Sequence, residues 1–224
     1  MSLLSLFMVS CATKDVEIDY TSVTVNLPSQ IIKGKPNFLI YPLNYPKHPP
    51  SAFLVPFNVM VKIEKNRIFL QREFTKILYN NFLKNQVFKR LLISKDYINN
   101  INEAIKRARE KKCDLVIIPT ITYCFFGGRS APTNMAIKID IYDTNSKNLI
   151  WSITHMGEIK ALEDKDYVFW KTRYNYPPFP EAALLNILLD DISEPIKRWT
   201  NHKVPIFPKK EKKQLRRNKS DWNF

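Results

Sequence analysis

Glycine is scarce in this chain: four among 224 residues, where average usage is near 7%. That scarcity excludes a glycine-rich phosphate loop, a collagen repeat and a flexible linker. Cysteine and histidine number three each, too few and too scattered for a disulfide scaffold or a zinc ribbon. His48, His155 and His202 lie far apart, and none has a Cys, Asp or Glu at metal-ligand spacing. Neither a Gly-x-Ser-x-Gly elbow nor a His-Glu-x-x-His motif occurs. Glu158, Glu163, Asp164 and Asp166 read as a solvated acidic loop rather than an acid pair. Gly127-Gly128-Arg129 follows a strand pattern, but no helix pattern opens after it, so it reads as a turn and not a phosphate cradle. The expectation is a chain with no catalytic residues, no metal site and no cofactor.

What is present is a core and an excess of positive charge. Hydrophobic residues make up 45% of the chain, enough to bury one sizeable domain. The net charge is +14. Part of it is local: Lys203, Lys209, Lys210, Lys212, Lys213, Arg216, Arg217 and Lys219 face only Glu211 and Asp221 in the tail. Three readings fit such a tail: a solvated arm, a contact for anionic lipid headgroups or cell-wall polymer, and a nucleic-acid grip. The abundance of Lys, Asn and Ile together is also what an AT-rich genome produces. For an exported chain the expectation is no nucleic acid.

Periodicity gives the order of elements. Residues 11–50 hold Pro28, Pro36, Pro42, Pro46, Pro49 and Pro50 and lack steady alternation, which reads as a proline-rich tether. Within it Thr21–Leu27 alternates and is a candidate edge strand. Ser51–Met60 reads as a buried strand with Pro56 at its end or at a bulge. Leu70, Phe74, Ile77, Leu78 and Phe82 line one face of a helix over 67–85. Val87–Ile93 reads as a short strand. A second helix is expected from Ser94 or Asp96, with Ile101, Ala104, Ile105 and Ala108 inward.

Asp114–Pro119 is the clearest buried strand, continuing to Phe126. Met135, Ile137, Ile139 and Ile141 alternate with polar neighbours, and a hairpin loop at 143–147 returns the chain through Leu149, Trp151 and Ile153. A last helix is expected from Pro180 to about Trp199, with Pro195 kinking or shortening it. The fold class is therefore α/β (α+β): a β-α-β-α-β-β-β-α order, giving a mixed sheet with helices packed on it. The domain spans 51–199, and 200–224 is a basic tail.

The amino terminus carries a second kind of signal. Residues 1–10 are mostly apolar and end at Cys11, after which Thr13, Lys14 and Asp15 follow. Ten residues span only about 15 Å as a helix, half a hydrocarbon core. The stretch has the length of a signal-peptide apolar region. Phe7-Met8-Val9-Ser10-Cys11 resembles a bacterial lipobox, with Ser10 at the small position and Met8 where leucine is usual. The resemblance implies lipidation of Cys11, and Ala12 implies sorting to the outer membrane. A frayed apolar terminus with a chance cysteine is the plainer alternative.

Four pieces together resemble a known family: the lipobox, Leu54-Val55-Pro56-Phe57, Lys112–Ile118, and the hairpin Ile139–Asp143 to Leu149–Ser152. They are similar to the periplasmic α/β domain of outer-membrane lipoproteins such as the peptidoglycan-synthase activators and the curli-secretion lipoprotein. The amino-terminal domain of the Tol system's propeller protein is alike. Lys147 stands where that hairpin commonly has a turn glycine. The resemblance covers about residues 51–199 and implies a fold, with no catalytic residue to transfer. It implies a lipid-anchored, non-catalytic binding or scaffold protein on the periplasmic face of the outer membrane. The alternative is an accessory subunit of an export or envelope-assembly machine. Partners are then the membrane through the lipid, and an envelope protein or cell-wall polymer; the oligomeric state is open.

Two expectations remain. The loop 161–180 is rich in aromatics, and Tyr167, Trp170, Lys171, Arg173, Tyr174 and Tyr176 form either a binding face or a cover for the core. Cys113 and Cys124 lie about 36 Å apart if one continuous strand joins them, far beyond disulfide reach, so both should be free. A sharp turn at Pro119 would instead bring them together.

Overall fold

The computed structural model describes residues 31–60, 67–98, 100–161 and 177–201, and the backbone of 165–167 and 170–172. Two short strands come first, β1 (Ile31–Lys33) and β2 (Asn37–Ile40). They lie inside the stretch read as a tether, and both are built into the sheet. Ile31 and Phe38 pack against the core while their neighbours stay exposed. Strands this short, buried on one side only, leave almost no alternation to read.

There follow β3 (Ser51–Leu54), β4 (Asn58–Val59), α1 (Arg67–Lys84), β5 (Arg90–Ile93) and α2 (Ile101–Glu110). Then come β6 (Leu115–Phe125), β7 (Thr133–Asp143), β8 (Leu149–Ile159), β9 (Lys165–Tyr167), β10 (Trp170–Thr172) and α3 (Pro180–Asn201). The main sheet runs β1-β8-β7-β6-β3-β5, with β2 beside β8 and β4 beside β6. β3 pairs in parallel with both β5 and β6, whereas β6, β7 and β8 are antiparallel. This is the mixed sheet that the element order implied. β9 and β10 form a separate hairpin.

Proline breaks the run at 51–60 into two strands. Pro56 has no N–H to give, so pairing lapses after Val55 N donates to Ile117 O and resumes at Asn58. α2 starts later than the periodicity suggested. Asn100 caps it, its side-chain oxygen accepting from Asn102 N at 2.8 Å. As the first residue of that helix Ile101 is exposed, while Ala104, Ile105 and Ala108 are buried as expected. α3 continues through Pro195 to Asn201.

Both sheet faces are covered, unequally. Ala52 and Leu54 point toward α1 and α3; Phe53 and Val55 point the other way, toward α2. The larger core gathers Leu70, Phe74, Ile77 and Leu78 of α1 and Leu185, Leu188, Leu189 and Ile192 of α3 over Ile137, Ile139 and Trp151. Each such side chain contributes about 1.5–3 kcal/mol on full burial. Among the described residues no helix is long and apolar enough to cross a membrane.

Two turns show how few glycines suffice. At Gly127 a Cβ would stand 2.4 Å from the Ala131 carbonyl carbon, so no side chain fits. Lys147 takes φ 61°, the left-handed region a glycine would occupy at no cost. The side chain of Asp143 offsets this by accepting from Asn145 N and Ser146 N. Cys113 and Cys124 are both free, the first buried and the second half-buried, and β6 runs unbroken to Phe125 past a register shift at 121–123.

Candidate functional site

The apolar stripe of α3 fixes where its acids go. With Leu188, Leu189 and Ile192 facing the core, Asp190 and Asp191 fall on its two flanks. Asp190 turns to α1 and accepts from Asn81 Nδ2 at 2.8 Å and Asn85 Nδ2 at 3.2 Å. Asp191 turns to the sheet, where its Oδ2 lies 2.6 Å from Lys33 Nζ and 2.9 Å from His155 Nε2. Two adjacent carboxylates thus tie one helix to α1, β1 and β8.

His155 shares the inner face of β8 with Trp151 and Ile153, and its side chain is 0% exposed. Burial holds its imidazole below the ordinary value; Asp191 pulls the other way and Lys33 adds to the lowering. The ring is therefore neutral at pH 7, with Nε2–H donating to Asp191. Its Nδ1 is buried without a hydrogen-bond partner. A neutral imidazole closed to solvent cannot exchange protons with a bound substrate. The cluster positions a helix. Lys33 carries no signal in the sequence, because its acidic partner lies 158 positions away.

A cleft of about 280 Å³ opens between α1, the end of β6 and the start of α3, walled by Phe69, Phe74, Phe126 and Phe179. Phe74 and Phe126 meet edge to face at 6.5 Å. Glu73 and Glu181 are the acidic residues of its lining, and Glu73 pairs with Lys76 at 2.7 Å.

The residues singled out from sequence fall largely elsewhere. Cys11, Arg173, Tyr174 and Tyr176 lie outside the described residues. Tyr167 stands opposite Trp170 in the β9–β10 hairpin, with Lys171 next, and the side chains of these three also lie outside the description. Among the described residues no group of His, Cys, Asp and Glu could hold a metal ion.

No family model matches the sequence, and no curated protein does. Among solved structures, the PelC dodecamer from Paraburkholderia phytofirmans is similar over 75% of this chain and 96% of that one, at 10% identity and a TM-score of 0.49. Lipoprotein GNA1162 from Neisseria meningitidis covers 54% of this chain and 88% of its own, at 12% identity and a TM-score of 0.36. The LpoB C-terminal domain from Escherichia coli covers 48% of this chain and 82% of its own, at 13% identity and a TM-score of 0.34. These are likenesses in the arrangement of strands and helices, and no role follows from them.

Proposed function

We propose that this chain is a lipid-anchored binding or scaffold protein of the cell envelope, facing the periplasm from the outer membrane. The observation that carries the reading is the order Phe7-Met8-Val9-Ser10-Cys11-Ala12 followed by polar chain. Between Cys11 and β1 about 19 residues can reach roughly 60 Å when extended. That length suits a domain held off a bilayer by a tether. The chemistry of the described residues fits binding: the buried histidine is closed off, and the polar clusters join elements of the fold. The aromatic hairpin at 165–172 and its flanks, with Tyr167, Trp170, Lys171, Arg173, Tyr174 and Tyr176, is the proposed contact face for an envelope partner.

Membrane fractionation tests the anchor. The wild-type chain is expected in the outer-membrane fraction, and Cys11→Ala is expected to release a folded domain. A Cys11→Ala chain that still sediments with the membrane overturns the reading.

A further inference from the structure

Exposed lysines gather at one end of the sheet. The amino-terminal segment joins β1 at Ile31, opposite Ile159, at the end where Phe125 and Thr133 also lie. At the other end β3, β5, β6 and β8 begin, β7 stops, and α3 closes with Thr200 Oγ1 donating to Val87 O. Lys84, Lys89, Lys111, Lys112 and Lys147 sit at the tips of elements there, all exposed. Of the acids at that end, Asp114 and Asp143 are held by N–H and hydroxyl groups of Ser51, Asn145 and Ser146, and Glu110 is exposed at the end of α2 beside Lys111.

In this basic end lies an open groove of about 800 Å³. Pro49 contributes exposed apolar surface and Phe88, 9% exposed, an edge of its ring; Lys89 lines it from before β5, and Lys197 and Arg198 line it from the C-terminal part of α3. Glu194 sits in it too and accepts from Arg198 Nε at 2.8 Å. Among the described residues neither Lys89 nor Lys197 has an acidic partner. Asn201, the last residue of α3, lines the groove, and the residues after it carry eight Lys or Arg against Glu211 and Asp221.

We infer that this groove binds an acidic, extended segment of a partner protein. Two lysines in one groove, Lys89 and Lys197, with no acidic partner among the described residues, call for an anionic occupant. Its shape and its negative features choose among anions. A concave floor does not meet a flat bilayer. Glu194 and the negative end of the α3 dipole oppose any anion, and most strongly one with charges as dense as nucleic acid, about one per 1.7 Å of duplex axis. A polypeptide spaces its carboxylates apart and can set apolar side chains on Phe88 and Pro49. The inference rests on the envelope reading only for the compartment where the partner is met; binding itself needs no lipid.

The test titrates the full chain, in solution, against three probes at physiological ionic strength. They are a labelled peptide of Glu interspersed with Val and Pro, an oligothymidylate of equal charge, and vesicles containing phosphatidylglycerol. The peptide is expected to bind saturably, and Lys89→Glu with Lys197→Glu is expected to weaken it by about tenfold or more. Oligothymidylate and vesicles, which meet the basic tail, should lose far less. The same peptide with Gln for Glu, measured on wild type, should lose binding as well and needs no folded variant. Three results overturn the inference: no saturable peptide binding, a loss within about twofold, or tighter binding of a phosphate probe with the same sensitivity to both substitutions. Since lipidation enters none of these measurements, their failure is distinct from failure of the anchor.

Discussion

His155 Nε2 lies 2.9 Å from Asp191 Oδ2, a hydrogen bond that joins the inner face of β8 to α3. The same oxygen holds Lys33 of β1 at 2.6 Å.

The consequence is a pH dependence of known sign. The folded chain keeps His155 neutral, its pKa lowered chiefly by burial, while the unfolded chain has the ordinary value near 6.5. Below about pH 6.5 the unfolded state therefore takes up a proton first, and stability falls until the folded-state value is passed. Urea midpoints measured from pH 8 downward should show this fall in wild type and lose it in His155→Gln. Parallel curves for the two proteins would contradict the assignment.

Trp151 is fully buried, with Trp199 at 5.9 Å and Phe38 at 6.1 Å between ring centroids. Trp151→Ala should cost about 3–5 kcal/mol. A loss under about 1 kcal/mol in a denaturant titration would mean that β8 presents its other face to the core.

The two turns should respond in opposite directions. Gly127→Ala forces a Cβ to within 2.4 Å of backbone at Ala131 and Pro132, and is expected to cost about 1–3 kcal/mol. Lys147→Gly relieves a left-handed residue at φ 61° and should leave stability unchanged or raise it by up to about 1 kcal/mol. Thermal melts of both variants check the pair; a stabilised Gly127→Ala or a strongly destabilised Lys147→Gly would be inconsistent with these turns.

Cys113 and Cys124 should both titrate as free thiols after unfolding without reductant. In the folded state burial pushes both pKa values up, so reaction with a thiol reagent near pH 8 should be slow. An unfolded monomer with neither thiol titratable would mean that the path of β6 between them is wrong.

How far the sequence exposed this fold depended on the length of each pattern. Met135, Ile137, Ile139 and Ile141 alternate over a whole strand, and all four are buried as read. The run at 114–119 is apolar enough to mark a central strand, and the Ile139-to-Trp151 hairpin follows from its turn residues. β1 and β2 were invisible by contrast: they are three and four residues long and buried on one side only. Ile101 was read as inward because it continues the helical stripe, but the cap at Asn100 makes it a first-turn residue with no neighbour above it. The Lys33–Asp191–His155 cluster leaves no local trace, since a contact across 158 positions has no period. Cys11 and the side chains of the aromatic residues at 167–176 lie outside the described residues.

Labelling growing cells with a fatty-acid probe tests the central claim most directly. The account predicts label on the wild-type chain and none on Cys11→Ala. An unlabelled wild type, or label that survives Cys11→Ala, would contradict it.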